Sequence, residues 1–114
     1  MTVDRVRRIC MALPYATETV QWEDNLVFKI GGKMFAVAAL EPRAVWLSFK
    51  CSADDFAELT ERNGIIPAPY LSRASWVALE DKDALSAAEL QGYLRRAYEI
   101  VHAKLPRKVR SSFV

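Results

Sequence analysis

The sequence predicts an α+β domain, a mostly antiparallel sheet with helices packed on one face. Three observations carry that reading. Apolar residues recur at helical spacing near both ends of the chain, in "VDRVRRICMAL" and "SAAELQGYLRRAYEIVHAK". Between them, apolar and polar residues alternate with the two-residue period of a strand. Two of the alternating runs are joined by Gly31-Gly32, a pair that permits the positive φ angles of a tight hairpin turn.

The elements follow in order. The first helix spans about Val3–Leu13, with Thr2 as its N-cap and Pro14 as its stop; Val3, Val6, Ile9, Cys10 and Leu13 share its apolar face. Glu18–Trp22 alternates as a short strand. Leu26–Ile30 and Lys33–Leu40 form the hairpin, with Leu26, Phe28 and Ile30 on one face and Val27 and Lys29 on the other. After a turn at Pro42, Val45, Leu47 and Phe49 share one face of the next strand and Trp46, Ser48 and Lys50 the other. A second helix is capped by Ser52, carries Asp54 and Asp55 at its positive end, and meets a left-handed stop at Gly64.

In "IIPAPYLSRASWVAL", Pro67 and Pro69 favour extended backbone. The segment reads either as a loop presenting aromatics and a cation, or as a packed crossing back to the sheet edge. The packed crossing is preferred, with Tyr70 and Leu71 anchored in the core and Arg73 left free. A strand follows at Ser75–Leu79. The last helix opens with a capping box, Ser86 with Glu89, and carries a stripe of Leu90, Tyr93, Leu94, Ala97, Ile100 and Val101. One domain therefore covers residues 1–105, and residues 106–114 are expected to be a basic, flexible tail.

Composition narrows the function classes. The 114 residues suffice for one core without disulfide or metal staples. No apolar run approaches the roughly 20 residues of a membrane span, and the apolar stretch after Arg8 is too short and broken for a signal peptide. A cytoplasmic protein without a membrane partner is expected. Cys10 and Cys51 have no C-x-x-C spacing and read as reduced thiols, while one histidine, His102, cannot complete a structural zinc set. Gly31-Gly32 fits neither phosphate-loop spacing, and no catalytic constellation is present. No enzyme activity, metal or cofactor is expected.

Four segments in register, "LVFKIGGKMFAV", "LSFKC", "PAPYLSRASWVAL" and the final helix ending "AKLP", resemble the MmcQ/YjbR family of small bacterial proteins. The likeness runs from about Val3 to Arg107. It implies a CyaY-like α+β fold and the family's description as double-wing DNA-binding proteins. Lys29, Gly32, Lys33, Phe35, Lys50, Cys51, Pro69, Tyr70, Leu71 and Trp76 match the recurrent pattern, and Arg73 stands where a basic residue is usual. Relatives often carry further basic or histidine residues just before the tryptophan, where this chain has Ala74 and Ser75.

Two functional readings follow. In the first, weak and salt-sensitive DNA binding uses Lys29 and Lys33 beside the hairpin turn, Lys50, Arg73, and the tail residues Lys104, Arg107, Lys108 and Arg110. The net charge of +2 is too small to argue this alone, but "KLPRKVR" holds four positive charges in seven residues. In the second, a protein or small ligand is held by Cys51, Tyr70, Arg73 and Trp76, with aromatics supplying area and Arg73 orientation. Trp22 and Trp76 read as core residues. Trp46, opposite Val45, Leu47 and Phe49, is the strongest candidate for an exposed aromatic in a partner site.

Overall fold

The computed structural model of the protein describes residues 1–113. Six strands form one antiparallel sheet in the order β1-β2-β3-β4-β6-β5. The strands are β1 (Thr17–Gln21), β2 (Asn25–Ile30), β3 (Lys33–Ala39), β4 (Leu47–Lys50), β5 (Ile65–Pro67) and β6 (Trp76–Leu79). Helices α1 (Val3–Met11), α2 (Ala53–Leu59) and α3 (Ala87–Ala103) bury Val6, Cys10, Leu59, Leu90 and Leu94 against Phe28, Ile30, Leu47 and Phe49 of one sheet face. On the other face Trp76 and Ala78 gather Met34, Val37, Ile66 and Leu71 into a smaller apolar cluster.

Local chemistry sets the helix starts. The side chains of Thr2, Ser52 and Ser86 accept hydrogen bonds from the third amide beyond each, and Glu89 returns the favour to the Ser86 amide. α1 stops at Met11, two residues before the expected end, and Tyr98 fastens its exit by donating to the Pro14 carbonyl at 2.6 Å. Gly31 and Gly32, with φ of +58° and +81°, make the hairpin turn. The register then slips: Phe28 faces Ala36, but Lys29 faces Met34. Phe35 is the extra residue of a β-bulge, so Phe35 and Ala36 both enter the core while Met34 joins the cluster on the opposite face.

Several expectations are corrected. The segment after α2 holds a strand, β5, paired with β6 at the sheet edge; its Pro67 is tolerated because an edge strand can spare an amide. Tyr70 is no core anchor. It is fully exposed with φ of +66°, and only Leu71 of that pair turns inward. Trp22 lies one residue past β1 in the turn, with φ of +51°, and is 59% exposed rather than in the core. Trp46, expected to be exposed, is 5% exposed. Regular alternation begins only at Leu47, so Trp46 and Leu47 both join the main core, and the indole donates to the Asp81 carbonyl at 3.2 Å.

Part of the basic C-terminal segment is helical. Residues Arg107–Ser111 form a short helix, α4. Val109 and Phe113 pack on the main core beside buried Leu105, and the Phe113 ring stacks on Tyr15 with centroids 4.9 Å apart. These three apolar residues fall four apart and hold the tail against the domain. Residue 114 lies outside the described residues.

Candidate functional site

Strand β4 ends at Lys50, directly opposite Trp76, the first residue of β6. Alternation sends Leu47 and Phe49 to the helices and leaves Lys50 on the other face. A 3-10 turn at Ser72–Ala74 precedes β6, and Ser75, with φ of +59°, reverses the chain into the strand. That turn is bound to the end of β4. The Cys51 amide and thiol both donate to the Ser75 carbonyl, at 2.9 and 3.2 Å, and the Lys50 amine donates to the Ala74 carbonyl.

The start of β3 and the exit of α3 close the other side. Lys33, Lys50 and Lys104 meet around a cleft of about 240 Å³ whose apolar lining includes Met34, Trp76 and Leu105. Among the described residues, no carboxylate lines it. Trp76 is 4% exposed, Lys50 is half-buried, and Lys33 and Lys104 stand at the rim in solvent. Burial lowers the Lys50 pKa below its ordinary value, and the neighbouring charge of Lys104 lowers it further. Arg7, Arg43, Arg62 and Arg96 are paired with acids, but among the described residues no ion pair includes these three lysines.

The hairpin tip abuts the same cleft and is covered. A Cβ built on Gly31 would stand 2.7 Å from Leu105 Cδ1 and 3.0 Å from Val109 Cγ1, so the tail lies directly on the turn. This contact sets α4, with exposed Arg107, Lys108 and Arg110, beside the cleft. The turn is therefore a supported corner of the domain, not a freely projecting arm.

The remaining nominated residues divide. Lys29 is half-buried between Thr17 and Met34 in the ladder, outside the cleft. Arg73 is exposed on the 3-10 turn, beside Ala74 of the cleft wall. Tyr70 and Arg73 face solvent while Cys51 and Trp76 are buried, so these four form no shared concave surface. Trp46 joins the helix-side core, away from the cluster that holds Trp76. Burial pushes the Cys51 thiol up to about 11, so it is neutral at physiological pH.

A larger groove of about 650 Å³ runs between α1 and α3. Arg5, Arg8 and Arg95 line it together with Glu99, all exposed. The lysine cleft is the better candidate because, among the described residues, no acid opposes its cations, and one of them is drawn into an apolar wall. Met34, Leu105 and Pro106 of that cleft were not anticipated. Nothing local in the sequence marks them, since they meet the lysines only through the bulge and the exit of α3. Among the described residues, no group of three or more His, Cys, Asp or Glu side chains is placed to hold a metal ion, and no helix is long and apolar enough to cross a membrane.

Comparisons with known proteins agree with this architecture. The YjbR family model matches residues 11–100. The crystal structure of the Deinococcus radiodurans protein DR2400, described as a DUF419 domain, is similar with a TM-score of 0.86 and 29% identity, covering 98% of this chain and 87% of that one. A Pseudomonas syringae protein of known structure shares the fold, with a TM-score of 0.71 at 16% identity over 89% of this chain and 99% of its own. No curated protein matches the sequence.

Proposed function

Starting from a chain that belongs to the YjbR family, we propose that it binds nucleic acid through phosphate contacts at the cationic end of the domain. The observation that carries this reading is the seating of Leu105 and Val109 on Gly31. It puts Arg107, Lys108 and Arg110 beside Lys33, Lys50 and Lys104, so cations scattered over the sequence share one end of the fold. Lys and Arg side chains that neutralise phosphates release condensed counterions, which supplies affinity without sequence preference. A modest net charge of +2 is compatible, because it is the local cluster that meets the backbone.

Binding rather than catalysis suits the remaining chemistry. The one histidine, His102, lies between the rings of Tyr98 and Phe113, with centroids 5.8 and 6.0 Å away. Both cysteines are buried with their pKa values raised.

Fluorescence anisotropy with labelled single- and double-stranded DNA tests the reading. Four phosphate contacts would weaken binding roughly a hundredfold between about 50 and 200 mM salt. Lys104→Glu combined with Lys108→Glu should flatten that dependence, and Lys33→Glu should weaken binding more than Lys29→Glu. No binding at the lower salt, or binding indifferent to salt, would overturn it.

A further inference from the structure

We propose that the cleft between Lys33, Lys50 and Lys104 is a site for a phosphomonoester joined to a flat, largely apolar ring. A free mononucleotide and the phosphorylated end of a strand both present that chemistry. The inference rests on the same cationic end as the nucleic-acid reading, yet each can fail without the other.

Size argues first. A cavity of about 240 Å³ falls below the usual range of drug-sized sites, so it suits one small group with part of a ring. The phosphates of a duplex lie on a broad convex surface. They meet the exposed amines of Lys33 and Lys104 more readily than the half-buried Lys50, whose amine is tied to the Ala74 carbonyl. The Lys50 ammonium has three N–H donors, one of them committed to the Ala74 carbonyl. That bond fixes where the other two can reach.

Charge argues next. Three ammonium groups line the cleft, and among the described residues no carboxylate lines it. A phosphomonoester carries about −1.5 to −2 at pH 7, against a single charge for the diester of an internal linkage. The terminal group is therefore the better complement to three amines. It would also relieve the mutual repulsion of Lys50 and Lys104.

The apolar lining argues for what the phosphate is attached to. Met34, Trp76 and Leu105 lie within the same cleft as the amines. A bare inorganic ion would leave that surface unused. A nucleobase or similar ring would cover it, with the flexible Met34 thioether adapting to the edge of the ring.

The test is an NMR titration of ¹⁵N-labelled protein with dAMP, deoxyadenosine and inorganic phosphate, then with hexathymidylate carrying a 5′-phosphate or a 5′-hydroxyl. We expect dAMP to bind at least about tenfold more tightly than deoxyadenosine, the gain of a charge-assisted contact. Its amide shifts should centre on Lys33, Lys50, Trp76 and Lys104. Lys50→Met and, independently, the exposed-site variant Lys104→Ala should each weaken dAMP by about tenfold, while Lys29→Met leaves it unchanged. A 5′-phosphorylated oligomer that outbinds both its hydroxyl counterpart and dAMP would identify a strand end as the source; equal binding of oligomer and dAMP would identify the free nucleotide. Equal affinity for dAMP and deoxyadenosine, equal affinity for dAMP and inorganic phosphate, or shifts away from the cleft would overturn the assignment. Duplex binding that persists without any phosphomonoester binding would remove this inference and leave the reading above. The reverse pattern would remove that reading and leave this site.

Discussion

Leu105 rests on Gly31: the glycine has no side chain at the point where the leucine methyl groups lie, and an added Cβ would fall 2.7 Å from Leu105 Cδ1. Gly32, one residue on, has φ of +81° and open space around its missing Cβ. The two glycines therefore separate backbone strain from packing. Gly32→Ala should cost about 1 kcal/mol for a left-handed L-residue. Gly31→Ala should cost about 3 kcal/mol, because Leu105 or Val109 must also give way. Urea denaturation measures both. Equal losses would mean that the tail is not seated on the turn.

Trp22 and Trp46 are expected to behave in opposite ways. Trp46 is enclosed, and its indole N–H satisfies the Asp81 carbonyl. Trp46→Phe removes that bond and leaves a void, for roughly 1–2 kcal/mol. Trp22→Phe should change stability by less than about 0.5 kcal/mol, yet it should remove the part of the emission that acrylamide quenches. Quenching that survives Trp22→Phe and vanishes with Trp46→Phe would reverse the assignment.

These two tryptophans also mark where sequence reading stops. Helix starts and the Gly31-Gly32 turn were legible because a serine cap or a pair of glycines acts on its immediate neighbours. Faces of strands were less so, since a shift of one residue sends a side chain to the other side of the sheet. Trp22 lies just past the end of β1 and Trp46 just before the start of β4. β5 spans three residues and contains Pro67, so only its pairing with β6 defines it. Leu105, Val109 and Phe113 were visible at four-residue spacing, but the surrounding charges and Pro106 disguised them as a solvated tail. Each lysine of the cleft could be nominated alone. That Lys33, Lys50 and Lys104 converge while Lys29 does not depends on the end of α3 reaching the hairpin, a long-range fact.

The Arg62–Glu89 pair gives the fold an acid-sensitive joint. Arg62 donates to both Glu89 oxygens, at 2.7 and 3.3 Å, and Glu89 also accepts the Ser86 amide at 3.0 Å. These bonds, that of Arg62 foremost, hold the carboxyl at about 2 against an ordinary 4.5. A depressed carboxyl stabilises the fold fully above its unfolded pKa and loses that contribution as pH falls through the folded one. The stability gap between the protein and Glu89→Gln should be constant above about pH 5.5, then close between 4.5 and 2. Because both side chains are 39% exposed, the gap should stay below about 1 kcal/mol. Circular dichroism melts across that range would show it; a gap independent of pH would dismiss the pairing.

Neither thiol should react in the folded protein. Burial raises Cys10 to about 12, and burial followed by the nearby Asp55 charge raises Cys51 to about 11. At pH 8 few thiolates are present, and both sulfurs are enclosed. An aromatic disulfide reagent should therefore label the two cysteines only as fast as the protein opens, with rates climbing in urea. Prompt native labelling of Cys51 would show that the Ser75 contact opens without global unfolding.

Lys50 should be retained at a cost to stability. Its pKa is lowered first by burial and then by Lys104, so the folded protein holds this proton less tightly than the unfolded chain does. Between the folded pKa and the unfolded 10.5, the unfolded state binds more protons, and this residue makes stability rise with pH. Below that window the penalty applies in full. Lys50→Met removes the penalty and fills the same wall, although it also frees the Ala74 carbonyl that the amine now satisfies. At pH 7 the variant should be within about 1 kcal/mol of the parent or more stable. Its relative stability should fall as the pH approaches 10.5, because the folded parent sheds the charge before the unfolded chain does. Paired chemical denaturation curves at pH 7 and 10 provide the check. A variant that is several kcal/mol less stable at both would make Lys50 a structural strut. One that matches the parent in stability but loses phosphomonoester binding would show an amine kept for its ligand, the usual trade where a charged group is held in an apolar wall.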